Sequence, residues 1–382
     1  MAQWNRVPLI DYIELIGGGT PKTTVPEYWN GNIPWLSVKD FNNDKRYVYS
    51  TEKHISQSGF ENSPTKMLHK DDIIISARGT VGEIAMIPFD MAFNQSCYGI
   101  RASRGIDKPF LYYLLKNCIS QLKRMTHGSV FDTITRDTFA NIEVDIPDAE
   151  TQKRISSVLA DIDNKIEVND AINDNLQQQA ATLFKALFVD HAPFDGTMPP
   201  NWTISTLGDV TEMGAGGDKP KESSPVKTPL CPYPIYSNGI NDYGLYGYTN
   251  EPKIKVESVT VSARGTIGYV CLRHIPYVPI VRLVTLIPDT KVLSAKYLYL
   301  YLRQLHITGT GTTQQQLTVP DFRKTEIVIP DKNTMAAFTE TVTPLFEQIW
   351  ANEDENTKLA EVRDALLPKL MSGEIDVSAV QL

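Results

Sequence analysis

Five residues, Ser76-Ala77-Arg78-Gly79-Thr80, return unchanged as Ser262-Ala263-Arg264-Gly265-Thr266, 186 positions later in a chain of 382 residues. A repeat at that distance predicts two copies of one folding unit, each long enough to bury its own core. The apolar runs Ile73-Ile74-Ile75 and Val259-Thr260-Val261 precede the two loops, and Gly82 and Gly268 follow at equal distance. Each copy therefore reads as strand, glycine-bearing turn, strand. The starts of the units also correspond: Trp4/Trp202, Leu9/Leu207, Asp11/Asp209 and Glu14/Glu212 share an offset of 198. A glycine cluster follows each start, Gly17-Gly18-Gly19 in one and Gly214, Gly216 and Gly217 in the other. Towards the ends, Thr135/Thr318, Phe139/Phe322, Glu143/Glu326 and Pro147/Pro330 settle at an offset of 183. The drifting offsets imply loops of unequal length in a shared framework.

A long helical pattern follows each unit, over residues 150–188 and 334–371. In the first, Ile155, Leu159, Ile162, Ile166, Asn169, Asn173, Leu176, Ala180, Leu183 and Leu187 step alternately by four and three, a heptad seam. The second repeats it as Phe338, Val342, Leu345, Ile349, Asn352, Asn356, Leu359, Arg363, Leu366 and Leu370. Arg363 is the misfit, and Pro368 is expected to break or kink the last turn. Antiparallel pairing would set Asn169 against Asn356 and Asn173 against Asn352, and asparagines buried in a seam fix register at some cost in stability. Helices of this length span ~58 Å. The expected fold is α/β (α+β): two similar globular domains separated by a two-helix antiparallel coiled coil, with internal pseudo-two-fold symmetry. The expected segments are 1–149, a spacer helix 150–190, 191–332, and a second helix with its tail, 333–382.

The net charge of −8 argues against a simple nucleic-acid binder, but its distribution weakens the objection. The helical segments 150–190 and 331–382 carry −3 and −6, leaving the two units nearly neutral together. The opening lacks the basic and apolar regions of a signal peptide, and no run is apolar enough to span a membrane. Cys97, Cys118, Cys231 and Cys271 are scattered without a CxxC pair, so neither a zinc cluster nor a disulfide framework is expected, and a reducing cytoplasm fits.

Catalytic patterns are missing. There is no phosphate loop, HExxH or GxSxG. The stretch Gly17-Gly18-Gly19-Thr20-Pro21-Lys22 departs from GxGxxG, and its proline would interrupt a following helix. Six histidines stand isolated. Asp71-Asp72 is expected at a turn before the Ile73 strand, and Asp161/Asp163 on a solvated helix face.

Residue types that read DNA do cluster around the repeated loops: Arg and Lys for guanine edges, Asn and Gln for adenine edges, small hydroxyls for phosphates. The first unit offers Thr20, Lys22, Ser37, Lys39, Arg78, Thr80, Asn94 and Gln95. The second offers Lys219, Lys221, Ser237, Asn238, Arg264, Thr266, Gln314 and Gln315. Gly79 and Gly265 would let backbone approach a phosphate. The competing structural role for Arg78 and Arg264 is to tie down their own turns through carbonyls. Tyr233, Tyr236, Tyr243, Tyr246 and Tyr248 fit β packing better than base contact.

In this order, the runs GGGTPK (17–22), GNIPWLSVKDF (31–41), IIISARGTVGEIAMI (73–87), FNQSCYGIRA (93–102), GSVFDTITRDTFANIEVDIPDAETQKRI (128–155) and LLPKLMSGEIDV (366–377) resemble the specificity subunits of type I restriction-modification systems, over essentially the whole chain. The resemblance implies two target-recognition domains, each reading half of a split DNA sequence, with the helices as a ruler for the unread gap. It implies a non-catalytic subunit that binds double-stranded DNA. It also implies two methyltransferase subunits docked on the helices, carrying the S-adenosylmethionine chemistry, and two motor-nuclease subunits where a restriction complex forms. This chain itself would bind no cofactor. The second unit departs from the first: Ile280-Val281 stand where Asn94-Gln95 do, and Met335 aligns with Gln152. It is therefore expected to read a different half-site. A stand-alone bipartite DNA-binding regulator, and an enzyme with an unrecognised site, are the competing readings.

Overall fold

The computed structural model describes residues 4–126, 133–309, 316–378 and 380. The chain divides into a first unit, residues 1–171 with 352–382, and a second, residues 172–351. Both divisions fall inside long helices, so each helix contributes to both units.

In the first unit, strands Ile13–Gly17, Cys97–Ala102, Ile73–Ser76 and Ile84–Met86 form an antiparallel sheet in that spatial order. All four residues of Ile73–Ser76 are buried, as the apolar run Ile73-Ile74-Ile75 placed between two partner strands predicts, and Ser76 is buried with them. A second sheet orders Lys53–Ile55, Trp29–Leu36, Met91–Phe93 and Met67–Leu68. Its central pair is parallel, Trp35 opposite Ala92 and Leu36 opposite Phe93. A ribbon of Asn5–Pro8 with Glu143–Ile146 closes the unit, and helix Lys108–Thr126 supplies Phe110, Leu111, Tyr113 and Leu115 to the core.

The second unit repeats this plan. Thr211–Ala215, Val284–Pro288, Ser258–Val261 and Val270–Arg273 form the matching antiparallel sheet, and Thr203–Thr206 pairs with Glu326–Ile329 as the matching ribbon. Registers coincide too: Ile73 faces Ile100 as Val259 faces Leu286. The parallel pair recurs with Ile235 opposite Val278 and Tyr236 opposite Pro279. The units differ at the edges of this sheet. The first flanks Met91–Phe93 with a further strand, whereas the second stacks Ser223–Ser224 outside Leu245–Thr249.

The two helices, Ala149–Phe188 and Lys332–Met371, have 40 residues each and begin alike. Asp148 accepts hydrogen bonds from the Glu150 and Thr151 amides (3.1 and 2.9 Å) and the Thr151 hydroxyl (3.0 Å). Asp331 does the same for the Asn333 and Thr334 amides (3.0 and 3.2 Å) and the Thr334 hydroxyl (2.7 Å). These caps satisfy amides that the first helical turn leaves without partners.

The helices pair antiparallel. Within the first unit, Asp163 meets Arg363 at 2.9 Å and Asn169 meets Asn356 at 2.8 Å, so partner numbers fall as the first helix advances. Within the second, Asn173 donates to the Ile349 carbonyl (3.4 Å), and Phe188 packs on Phe338 at a ring separation of 4.9 Å. Asn169 also donates to Glu355 (2.7 Å), and Asn356 to Asp170 (3.0 Å).

Three expectations need correction. Asp163 is not on a solvated face; it is buried against Arg363 and the Tyr113 hydroxyl (2.7 Å), and it answers the misfit of a charged residue in the seam. The late seam residues are not Leu183 and Leu187. Leu183 is exposed and Leu187 half-buried, because the aromatic side chains of Phe184 and Phe188 fill the core of the second unit instead. Pro368 does not end the second helix, which continues to Met371.

The segment beyond that helix returns to the first unit. Leu367, Leu370, Met371 and Val377 join its core, and Arg154 donates to the Val380 carbonyl at 2.9 Å. Gly373 (φ 72°) turns the chain against the Trp4 ring, where any Cβ would lie 2.9 Å from the indole nitrogen.

Candidate DNA-reading loops

Each repeated loop is a turn held by atoms other than its arginine. In the first unit, Gly82 N donates to Ser76 O (3.0 Å), Ser76 N to Glu83 O (2.9 Å), and Glu83 N to the Ser76 hydroxyl (2.8 Å). In the second, Gly268 N donates to Ser262 O and Ser262 N to Tyr269 O, both at 3.0 Å. The glycines Gly79, Gly82, Gly265 and Gly268 all have φ between 69° and 87°, which an L side chain resists. Ala77 and Ala263 are buried and anchor the loops, accepting from Ile134 N and Leu317 N respectively (both 3.0 Å).

Arg78 and Arg264 are exposed. Among the described residues, the Arg78 guanidinium has no hydrogen-bond or ion-pair partner, and Arg264 donates to the Gln316 side chain at 3.1 Å. Neither bonds to carbonyls of its own turn, so the turn does not depend on them. Thr80 and Thr266 are exposed beside them.

The other candidates of the first unit gather by linked contacts. Gly19 N donates to Phe93 O (3.0 Å), bringing the glycine cluster beside Asn94, and the Thr20 hydroxyl bonds to the Gln95 side chain. A Cβ on Gly18 would overlap the Asn94 carbonyl, so only glycine fits there. Asn94 N donates to Leu36 O (3.0 Å), just before Ser37. Ser37 caps a short helix through Asp40 (2.7 and 2.9 Å), with Lys39 on its first turn. Ala77 N donates to Ser96 O (2.8 Å), which ties this group to the Arg78 loop. Lys22 is exposed. Cys97, below the tip, is buried beside Asp40, and burial pushes its thiol up to about 12.

The second unit builds the same junction with different side chains. Ile280 N donates to Tyr236 O (2.9 Å) where Asn94 N meets Leu36 O. A Cβ on Gly216 would lie 2.7 Å from Ile280 N, the counterpart of the Gly18 contact. Here Asn238 is the fastener: its Oδ1 accepts from Ala263 N (2.8 Å) and its Nδ2 donates to Val281 O (2.7 Å). Its amide is thus engaged within the unit. Ser237 N bonds to Gly244 O (2.8 Å). Lys219 and Lys221 are exposed, and the Lys219 ammonium lies 5.3 Å from the Tyr246 ring centre. Gln314 and Gln315 lie outside the described residues.

The aromatic group divides. Tyr236 packs on Tyr277 at 5.7 Å and lies under the Arg273 guanidinium at 3.6 Å. Burial raises its phenol pKa against the opposing pull of Arg273. Tyr243 and Tyr246 are each 51% exposed, more than β packing predicts. Sequence reasoning missed Arg282, which is exposed at the position that corresponds to Ser96 of the first unit; carrying the 186 offset one residue further would have found it.

Among the described residues, no group of His, Cys, Asp and Glu could hold a metal ion, and no helix is long and apolar enough to cross a membrane.

A family model described as the type I restriction modification DNA specificity domain matches residues 1–178 and 199–361, so the chain belongs to the family of type I restriction-modification DNA specificity subunits. It is 28% identical to the type I restriction enzyme MjaIX specificity subunit of Methanocaldococcus jannaschii, covering 98% of this chain and 94% of that protein. It is 26% identical to the HindI specificity subunit of Haemophilus influenzae, covering 70% and 77% of the two. The crystal structure of a type I restriction-modification S subunit from M. genitalium shares the fold, with a TM-score of 0.58, 16% identity, and 97% and 96% of the two chains covered.

Proposed function

We propose that each unit is a target-recognition domain reading one half of a bipartite DNA sequence, while methyltransferase subunits carried by the helices perform the chemistry with S-adenosylmethionine. The observation that carries this reading is the pair Arg78 and Arg264. Both project from the same glycine turn, and both turns are closed without them. A guanidinium so placed matches the bidentate demand of a guanine edge, and Thr80 and Thr266 offer hydroxyls to the neighbouring phosphates. Thr20, Lys22, Ser37, Lys39, Asn94 and Gln95 are the further proposed DNA contacts of the first unit, and Lys219, Lys221 and Ser237 those of the second. Asn238 serves as a positioning residue.

The helical segments carry most of the negative charge, which suits a face turned to protein rather than to DNA. Two methyltransferase subunits, and two restriction subunits in a restriction complex, are the proposed partners. The division into 1–149, 150–190, 191–332 and 333–382 follows the same reading, with the helices as the ruler.

The test is to co-express the chain with its cognate methyltransferase subunit in a host lacking both, then map methylated adenines across the genome. A split motif with a fixed gap is expected. Tight, sequence-specific gel shifts by the chain alone, with no methylation, would favour the stand-alone regulator. Binding of S-adenosylmethionine to the isolated chain by calorimetry would favour an enzyme.

A further inference from the structure

At the tip of the second unit, Val281 and Arg282 are consecutive residues in the left-handed region, with φ of 52° and 62°. For valine this is costly, because its branched Cβ crowds the backbone there. A strained backbone persists only where its surroundings over-determine it, and these do. Val281 N donates to Gly217 O and Arg282 N to Gly216 O (both 2.9 Å), and Gly216 N donates back to Leu283 O (2.8 Å). Leu283 N closes the turn on Ile280 O (3.0 Å), and Asn238 holds the Val281 carbonyl from the other side.

This anchoring buries neither side chain. Val281 is 49% exposed and Arg282 is exposed. Arg282 has no hydrogen-bond or ion-pair partner among the described residues. Asn238 binds the Arg264 loop through its Oδ1 and the tip through its Nδ2, so Arg264, Val281 and Arg282 rise from two loops fastened by one amide. In the first unit the matching tip positions are Gln95 and Ser96, and no residue from 94 to 96 has positive φ.

We propose that Val281 and Arg282 form the base-reading tip of the second unit, in place of Gln95 and Ser96. Val281 presents its methyl groups to a thymine C5-methyl, and Arg282 presents its guanidinium to a guanine O6/N7 edge. The left-handed pair aims two successive side chains outward, which an extended strand, alternating its faces, would not do. This rests on the proposed reading of each unit as a target-recognition domain.

The decisive experiment uses the full chain co-expressed with its methyltransferase subunit, with methylome mapping for the unaltered chain, Arg282→Ala and Val281→Asn. Asparagine tolerates the left-handed region far better than valine, so Val281→Asn is expected to keep or raise the melting temperature. The expected result is degeneracy at one base pair in one half-site for each variant, with at least a tenfold loss of preference there and the other half-site unchanged. An unaltered motif in either variant, with the melting temperature kept, would overturn that residue's role. A uniform fall in methylation with an unaltered motif for Arg282→Ala would show a phosphate contact and overturn the base-reading assignment. If the unaltered chain yields no split motif, it is the target-recognition reading that fails.

Discussion

The Arg363 guanidinium lies 2.9 Å from the Asp163 carboxylate, joining the two long helices inside the first unit. Asp44 approaches the same guanidinium at 2.8 Å and Lys116 at 2.7 Å, so a loop of the globular part is bound into the same charge cluster. Burial would by itself raise the Asp44 pKa, but Lys116 and Arg363 together hold it below the usual carboxylate range. Removing one member of a buried pair leaves an uncompensated charge, which costs about 3–5 kcal/mol. Arg363→Met should therefore unfold the first unit at markedly lower denaturant. Arg363→Met with Asp163→Asn should recover most of the loss, since Tyr113 still has a partner. Urea unfolding of both variants checks this, and equal stabilities would contradict it.

Asn169 and Asn356 meet at 2.8 Å in the helix pair. Changing both to leucine should raise the melting temperature while loosening register, because apolar side chains pack equally well one turn away. Site-directed crosslinking would read the register. Unchanged fidelity would show that the aromatic residues near Phe184 and the Arg363 cluster suffice.

The capping aspartates predict an acid response. The Thr151 amide holds the Asp148 pKa below the ordinary 3.8. The Thr334 hydroxyl and amide do the same for Asp331. A carboxylate whose folded pKa is depressed contributes fully above its unfolded value, and that contribution fades as pH falls through the lower folded value. Asp148→Asn and Asp331→Asn keep the cap acceptor but remove the titration. Their stability relative to the unaltered chain should therefore improve as pH falls below the ordinary 3.8, as circular dichroism against pH would show. Parallel curves would refute the linkage.

Arg78 and Lys22 should behave differently on DNA. Arg78→Ala should cost about 1–3 kcal/mol and relax one position of the recognised sequence. Lys22→Ala should weaken all sequences alike and reduce the slope of log affinity against log salt by about one. Fluorescence anisotropy of the methyltransferase complex at several salt concentrations separates the two, and a salt-only effect for Arg78→Ala would make it a phosphate contact.

The repeat was the most legible part of the fold. Identical letters at 76–80 and 262–266 located the same turn twice, and the heptad spacing located both helices and the Asn169–Asn356 pairing. Periodicity could not reveal that Asp163 is buried, because an aspartate beside Ile162 looks solvated until Arg363 is placed opposite. It could not choose Phe184 over Leu183, since both are apolar and one step apart, and the core of the second unit decided. At the candidate site, residue type identified Arg78 and Arg264 but not their freedom from their own turns. Asn238 looked like a reader of adenine, and the backbone atoms that engage its amide come from segments 25 and 43 residues away. Such distant partners leave no local signal.

Because Leu367, Leu370, Met371 and Val377 belong to the same core as Leu9 and Ile13, the residues near position 10 must wait for those near position 370 before that core can close. The second unit, whose residues are contiguous from 172 to 351, has no such wait. During translation the downstream unit is the one able to mature first. A premature stop shortly after residue 351 would leave it whole and strip the N-terminal partner of its floor.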